Sequence, residues 1–240
     1  MKGTDKIVLR TKGGPSKKMV ATAKQFDVTR RNNSEFSRRS KASAIVLRGM
    51  QALRPLADYN LAPAMNAVLK QIQSLDTTSV FGERDICLSR RPGLLEGFSF
   101  NRNVTFDTTL LAPLRVSVDV DAARVTVVIP EMVFGTNFRT AGRYPWCQFV
   151  VTAACIPDLV WRDNGYQANV NMHTGHTAWQ PATADAEERT IELSFVPPSA
   201  GPSTLLVSIG LQYGMVSPFG EIVPVKFGCA KVILAKAIGV

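Results

Sequence analysis

The sequence predicts a mainly β protein with an N-terminal α region, in which a helical hairpin is followed by an antiparallel β-sandwich. Two patterns carry this prediction: apolar residues recur at helical spacing up to Ser74, and beyond it they alternate with polar residues. The absence of crossover helices between the strands favours antiparallel pairing, in an immunoglobulin-like or jelly-roll-like sandwich. The predicted segments are a basic N-terminal arm over 1–41, a helical hairpin over 42–78 and a β-sandwich domain over 79–240.

The arm is the most unusual part of the composition. Residues 1–54 hold 14 Lys or Arg and 3 acidic residues, whereas residues 55–240 hold 14 basic and 16 acidic residues. Glycine and proline interrupt the arm, and only "KIVLR" at 6–10 is apolar enough for a short strand. A cationic segment therefore precedes a nearly neutral body, and the arm is expected to lie against its own body, a neighbouring subunit or a polyanion, or to serve solubility alone.

Two helices are expected after the arm. The first is predicted to open near Ser34, with Ser34 as its cap and Glu35 near the positive end of the helix dipole. The second follows the break at "DYN", and Pro63 fits its first turn. The apolar stripes of the two helices are Phe36, Ala42, Ile45, Val46, Met50 and Leu53, and Leu61, Met65, Val68, Leu69 and Ile72.

Six to eight strands are expected in the remainder. "LRVSVDVD" alternates strictly, and "RVTVVIP" follows after a short turn, so the two predict a β-hairpin. Further strands are predicted at 148–155, 189–196, 204–214 and 230–238. "PWCQF" and "SPFGEIVP" are interpreted as turn or edge material, and the polar stretch 165–188 as a long loop at one end of the sandwich.

No catalytic signature stands out. A phosphate-binding loop, a dinucleotide fingerprint and a GxSxG motif are all missing from the sequence, so neither enzyme activity nor a cofactor is predicted. His173 and His176 have a spacing that suits a metal only with further ligands, and two ordinary loop histidines are the favoured interpretation. The four cysteines are scattered, which predicts reduced thiols. No secretory signal and no apolar run of roughly 18 residues is visible, so a cytoplasmic protein without a membrane span is expected.

Two groups of residues are candidates for binding. The basic residues chosen for contact with an acidic partner or a polyanion are Arg30, Arg31, Arg38, Arg39, Lys41 and Arg48. The residues chosen for a small ligand or a sugar in the 165–188 loop are Tyr166, His173, His176 and Trp179.

Several runs resemble a known family. "RRNNSEFSRRSKASAIVLRGMQALRPL", "SLDTTSVFGERDI", "LLEGFSFN" and "TTLLAPLRVSVDVDAARVTVVIPEMV" are similar to a family of Bacteroidota proteins of about 200–240 residues with a domain of unknown function. The resemblance covers about residues 29–133. It implies the same order of helices and β-rich remainder, and it implies no activity, cofactor or catalytic residue.

Three functions follow, in order of preference. The first is a non-enzymatic structural protein that self-associates through its basic arm and helices into a homo-oligomer. The second is a coat-like protein or sequence-independent nucleic-acid binder that uses the basic arm to neutralise phosphates. The third is a carbohydrate-binding or small-ligand-binding β-sandwich that uses the 165–188 loop.

Overall fold

Three layers make up the molecule: a layer of helices, a large β-sheet and a small β-sheet. The computed structural model describes residues 13–140, 143–162, 165–198 and 201–239. The predicted "KIVLR" strand lies outside the described residues. The fold class is confirmed, because N-terminal helices precede a β-sandwich built from antiparallel sheets.

The helical layer consists of α1 (Lys17–Thr22), α2 (Asp27–Arg48) and α3 (Leu61–Ser74), with a 3₁₀ helix at Gln51–Leu56 between α2 and α3. A short α4 (Phe106–Thr109) lies further along the chain. The predicted helix start near Ser34 is wrong, because α2 begins at Asp27. The carboxylate of Asp27 stabilises this first turn through ion pairs with Arg30 and Arg31, at 3.3 and 2.9 Å. The predicted border between arm and hairpin therefore falls inside α2.

The large sheet has the order β10-β9-β3-β6 and the small sheet has the order β1-β2-β8. The small sheet contains β1 (Arg115–Asp119), β2 (Arg124–Ile129) and β8 (Arg189–Ser194). The large sheet contains β3 (Trp146–Pro157), β6 (Met172–His176), β9 (Ser203–Val216) and β10 (Ile222–Ile238), and β7 (Gln180–Pro181) also pairs with β3. β4 (Trp161–Arg162) pairs with β5 (Gly165–Tyr166).

The predicted strands at 148–155, 189–196, 204–214 and 230–238 correspond to β3, β8, β9 and β10, and β1 and β2 form the predicted hairpin. Two turn predictions are wrong in part: "SPFGEIVP" does contain the turn between β9 and β10 at 217–221, but its last three residues belong to β10, and the last four residues of "PWCQF" belong to β3. β3 already begins at Trp146, which pairs with both β9 and β7, and β10 begins at Ile222, which pairs with Val216. Backbone pairing with neighbouring strands therefore extends both strands into stretches that the prolines had marked as turns.

The prediction of a long loop over 165–188 is also wrong. This stretch contains β5, β6 and β7, and β6 pairs with β3 along the register His173↔Ala153. Polar residues dominate β6 because it lies at the edge of the large sheet, where its side chains are only half-buried. Gly175 has a packing role, since a Cβ atom there would lie 2.8 Å from Ile191 Cγ2.

The large sheet is buried on both faces. One face packs on the helices through a core that includes Val46, Leu53, Val150 and Leu206. The other face packs on the small sheet through a second core that includes Phe149, Val151, Leu205, Val125 and Ile191. The neighbours Val150 and Val151 thus point to opposite cores, which explains the nearly continuous apolar runs in β3 and β9.

Candidate interaction surface

A buried carboxylate joins α2 to the loop that follows α3. Glu35 is only 3% exposed, and it accepts two hydrogen bonds from Arg84, Nε to Oε1 at 2.6 Å and Nη2 to Oε2 at 2.7 Å. The backbone N–H of Gly82 donates a third, at 3.1 Å. Burial alone would raise the pKa of Glu35, but the hydrogen bonds from Arg84 and Gly82 and the nearby guanidinium charges outweigh burial and lower it. Glu35 therefore stays ionised inside the protein.

The same network reaches α3. Arg39 Nη1 lies 3.7 Å from Glu35 Oε2 and donates to Gln73 Oε1 at 2.7 Å. The amide nitrogen of Gln73, a fully buried residue, in turn donates to the carbonyl of Arg84 at 3.0 Å. This closed circuit of three hydrogen-bonded links and one ion pair fixes α2, α3 and the loop relative to one another.

The loop after α3 has its own anchor in Asp76. This buried carboxylate accepts hydrogen bonds from the backbone N–H groups of Thr78, Ser79 and Asp85. Burial alone would raise its pKa, but these hydrogen bonds hold the pKa of Asp76 well below its ordinary value. The loop is thus held at both ends, by Asp76 and by the Glu35–Arg84 pair.

Exposed apolar side chains surround this network. Phe36 is 57% exposed, and Arg39 lies over its ring with Cζ 6.0 Å from the ring centroid. On the loop, Arg84 lies over the exposed ring of Phe81, with Cζ 5.2 Å from the centroid. We call the exposed apolar residues of α2 and of the chain that follows α3, namely Val28, Phe36, Leu75, Val80 and Phe81, the helix–loop surface. Aromatic side chains combined with arginine are typical of protein–protein interfaces.

Most of the predicted basic residues contact their own chain. Arg30 donates to the carbonyls of Val20 and Ala23, each at 2.9 Å, so it attaches α1 to α2. Arg38 donates to the carbonyl of Glu83. The cations of Arg38 and Lys41 lie 4.9 and 4.5 Å from the Trp161 ring centroid.

Arg48 differs from these residues. It is exposed, and among the described residues it makes no hydrogen bond or ion pair. The predicted cations are therefore split between positions that stabilise the helical layer and positions that face solvent.

The predicted loop residues do not form one site. His173 and Gly175 face the small sheet, where the side chain of Ser194 lies 3.3 Å from His173 Nδ1. His176 belongs to the opposite face of β6, because residues three apart on a strand point to opposite sides. The described residues contain no group of three His, Cys, Asp or Glu side chains arranged to hold a metal.

The two aromatic residues of that group are also apart. Tyr166 packs edge-on against Trp161 near the helices, and burial raises the pKa of its hydroxyl. The ring of Trp179 covers Gly214, where a Cβ atom would lie only 2.8 Å from Trp179 Cζ3. Both aromatic rings are thus used in packing within the fold.

The cysteines are free thiols. Cys147, Cys155 and Cys229 are buried and Cys87 is half-buried. Burial raises the pKa of Cys147 to about 12 and that of Cys87 to about 11. Within the described part of the chain, no helix is long and apolar enough to cross a bilayer.

Sequence reasoning missed the most distinctive contact of this surface, the Glu35–Arg84 pair. Its partners are 49 positions apart in the chain. The "SLDTTSVFGERDI" run contains Asp76, Gly82 and Arg84, but it was singled out only as a mark of resemblance. No spacing rule connects that run with Glu35. The available sequence signal is that the "RRNNSEFSRRS" run, which contains Glu35, and the "SLDTTSVFGERDI" run, which contains Arg84, occur in the same chain.

No family model, curated protein or solved structure matches the chain. Kinship with the Bacteroidota family therefore stays a prediction, and the function has to be argued from the geometry described above.

Proposed function

We propose that this chain is a non-enzymatic structural protein that associates with other copies of itself through the helix–loop surface. The observation that carries the proposal is the exposure of Phe36 and Val28, at 57% and 63%, on a helix that is held rigidly by the Glu35 network. A preorganised surface loses little conformational entropy on binding. Arg39 and Arg84, which bind Glu35, contact the rings of Phe36 and Phe81 and so connect these exposed side chains to the Glu35 network.

The test is a full-length variant, Phe36→Ser, compared with the wild type by analytical ultracentrifugation over a range of concentrations. A truncation at residue 41 is unsuitable, because it would cut α2 and remove Glu35. Covering a half-exposed phenylalanine is worth on the order of 1.4 kcal/mol, so Phe36→Ser should weaken association about tenfold.

Phe219→Ser is the matched control, since Phe219 is 92% exposed in the turn between β9 and β10 and does not belong to the helix–loop surface. We expect this control to associate like the wild type. A wild type that stays monomeric at all concentrations, or a loss of association in Phe219→Ser alone, contradicts the proposal. Circular dichroism on each variant verifies that the fold is retained.

Sequence-independent nucleic-acid binding is a second candidate, and the exposed cations of the helical layer favour it. Lys17, Lys18, Lys24 and Arg48 are exposed, and no acidic side chain of the described residues pairs with them. Binding through these residues would weaken steeply with salt. A titration of single- and double-stranded DNA in 50 mM salt tests this candidate, and absence of binding there eliminates it.

A further inference from the structure

The charges of the molecule are divided between its outer layers. Residues 13–54, which contain α1 and α2, hold ten basic and two acidic residues, a net charge of +8. Residues 115–131 and 185–194, which contain the small sheet, hold three basic and seven acidic residues, a net charge of −4. Because the large sheet separates the two layers, these opposite charges cannot meet within one molecule.

One region of the small-sheet layer combines acidic and exposed apolar side chains. Val133 and Phe134 are 38% and 40% exposed, and Glu131, Asp185 and Glu187 beside them are exposed as well. We call these five residues the acidic patch. It is the counterpart in charge of the helical layer, which carries the α2 part of the helix–loop surface, and both surfaces present exposed phenylalanine.

Backbone contacts hold the acidic patch in a fixed shape. Met132, which is fully buried, exchanges two backbone hydrogen bonds with Ala186, at 2.7 and 2.9 Å. The backbone N–H of Phe134 donates to Asp185 Oδ1 at 2.7 Å, which holds this residue next to an acidic side chain. The side chain of Asn137 closes the turn through bonds to Val133 N and Glu131 O.

We infer that the helix–loop surface of one copy binds the acidic patch of a second copy of this chain. This inference rests on the proposed self-association and specifies the receiving surface. A helix–loop surface that met its own equivalent on another copy would oppose two layers of +8, which is unfavourable. A contact between two different surfaces is heterologous and repeats head to tail, so it produces closed rings or open filaments.

The decisive variant is the double substitution Glu131→Lys and Glu187→Lys in the full-length chain. Both side chains are exposed, so the fold should tolerate the change, and association should weaken at least tenfold in analytical ultracentrifugation. The matched control is Glu221→Lys, an exposed glutamate in the turn between β9 and β10, and it should associate like the wild type.

Mixing the two variants tests the receiving surface separately from the proposed self-association. The Phe36→Ser chain keeps an intact acidic patch, and the Glu131→Lys/Glu187→Lys chain keeps an intact helix–loop surface. Each should associate about tenfold or more weakly than the wild type when alone, and an equimolar mixture, at a concentration where neither variant associates alone, should form 1:1 dimers and nothing larger. If Phe36→Ser weakens association while the double lysine variant does not, the receiving surface is wrong and the proposed function stands. If neither variant changes association, both the receiving surface and the proposed function are contradicted.

Discussion

Glu35 shows how one residue can determine the stability of a whole surface. The Glu35→Gln variant removes the negative charge while Arg84 and Arg39 keep their positive charges at partly buried positions. Breaking a buried ion pair by removing one partner costs about 3–5 kcal/mol, and we expect a loss of this size in the free energy of unfolding. Urea denaturation followed by circular dichroism measures it. Glu83→Gln, an exposed carboxylate in the same loop, is the control and should change little.

The two buried carboxylates also predict a pH dependence. Hydrogen bonds lower the folded-state pKa of Glu35 and Asp76 below their ordinary values of 4.5 and 3.8. On acidification the unfolded chain therefore takes up protons first, so the free energy of unfolding should fall as the pH drops below about 4.5. Urea titrations between pH 7 and pH 3 test this. The Glu35→Gln variant should show a shallower decline, and an unchanged slope would exclude Glu35 as a source.

The role of Glu35 was not predictable from local sequence. A glutamate that follows a serine suggests the first turn of a helix, whereas Glu35 lies inside α2 and binds Arg84 and Gly82 in a distant loop. Propensity rules consider neighbours along the chain. This contact depends on tertiary packing, which those rules do not contain.

Among the elements, Asn101 links the helical layer to the edge of the large sheet. Its buried side chain donates to the carbonyls of Leu56 and Gly228, at 2.8 and 3.0 Å, and accepts from Ala230 N at 2.9 Å. Asn101→Ala leaves three buried backbone groups without these partners, so we expect a loss of about 3 kcal/mol in the free energy of unfolding. Thermal and urea denaturation measure it. Asn103→Ala, at an exposed position in the same segment, should be close to neutral.

Elements with a regular hydrophobic pattern were predictable from the sequence. Elements whose structure depends on pairing with strands adjacent in space were not. The alternation in β1 and the apolar runs of β3 and β9 report burial that is regular along the strand, so these strands were predicted correctly. β6 escaped prediction because an edge strand keeps polar side chains. β10 was predicted only over 230–238, and its first part was missed because Pro224 lies near its start, where turn propensity competes with pairing.

At the scale of the whole molecule, the shared central sheet predicts one cooperative unfolding transition. Leu53 belongs to the helix-side core and Ile191 to the core between the sheets, and both cores use β3 and β9. Leu53→Ala and Ile191→Ala should each cost about 2–5 kcal/mol and lower the same Tm. Far-UV circular dichroism and tryptophan fluorescence should give coincident curves, whereas separate transitions would indicate two independent domains.

The sequence alone predicted that basic residues are concentrated near the N-terminus. It did not predict where the basic and the acidic residues lie relative to each other in the folded molecule. The acidic residues of the small-sheet layer come from two segments, 115–131 and 185–194, that are separated by β3 and β6 in the chain. Their combined charge becomes visible only when β2 and β8 pair. The two cores on opposite faces of the large sheet show that the opposite charges lie on different layers.

The sign of the salt dependence follows from this arrangement. If the +8 layer of one copy faces the −4 layer of the next, the attraction is screened as salt rises, because the screening length falls from about 10 Å at 0.1 M to about 3 Å at 1 M. The dissociation constant measured by analytical ultracentrifugation should then increase several-fold between 0.05 and 0.5 M NaCl. Two helical layers that faced each other would repel, and salt would instead tighten their association. A dissociation constant that falls with salt would therefore contradict the head-to-tail arrangement, while the Phe36→Ser result would still report on the helix–loop surface.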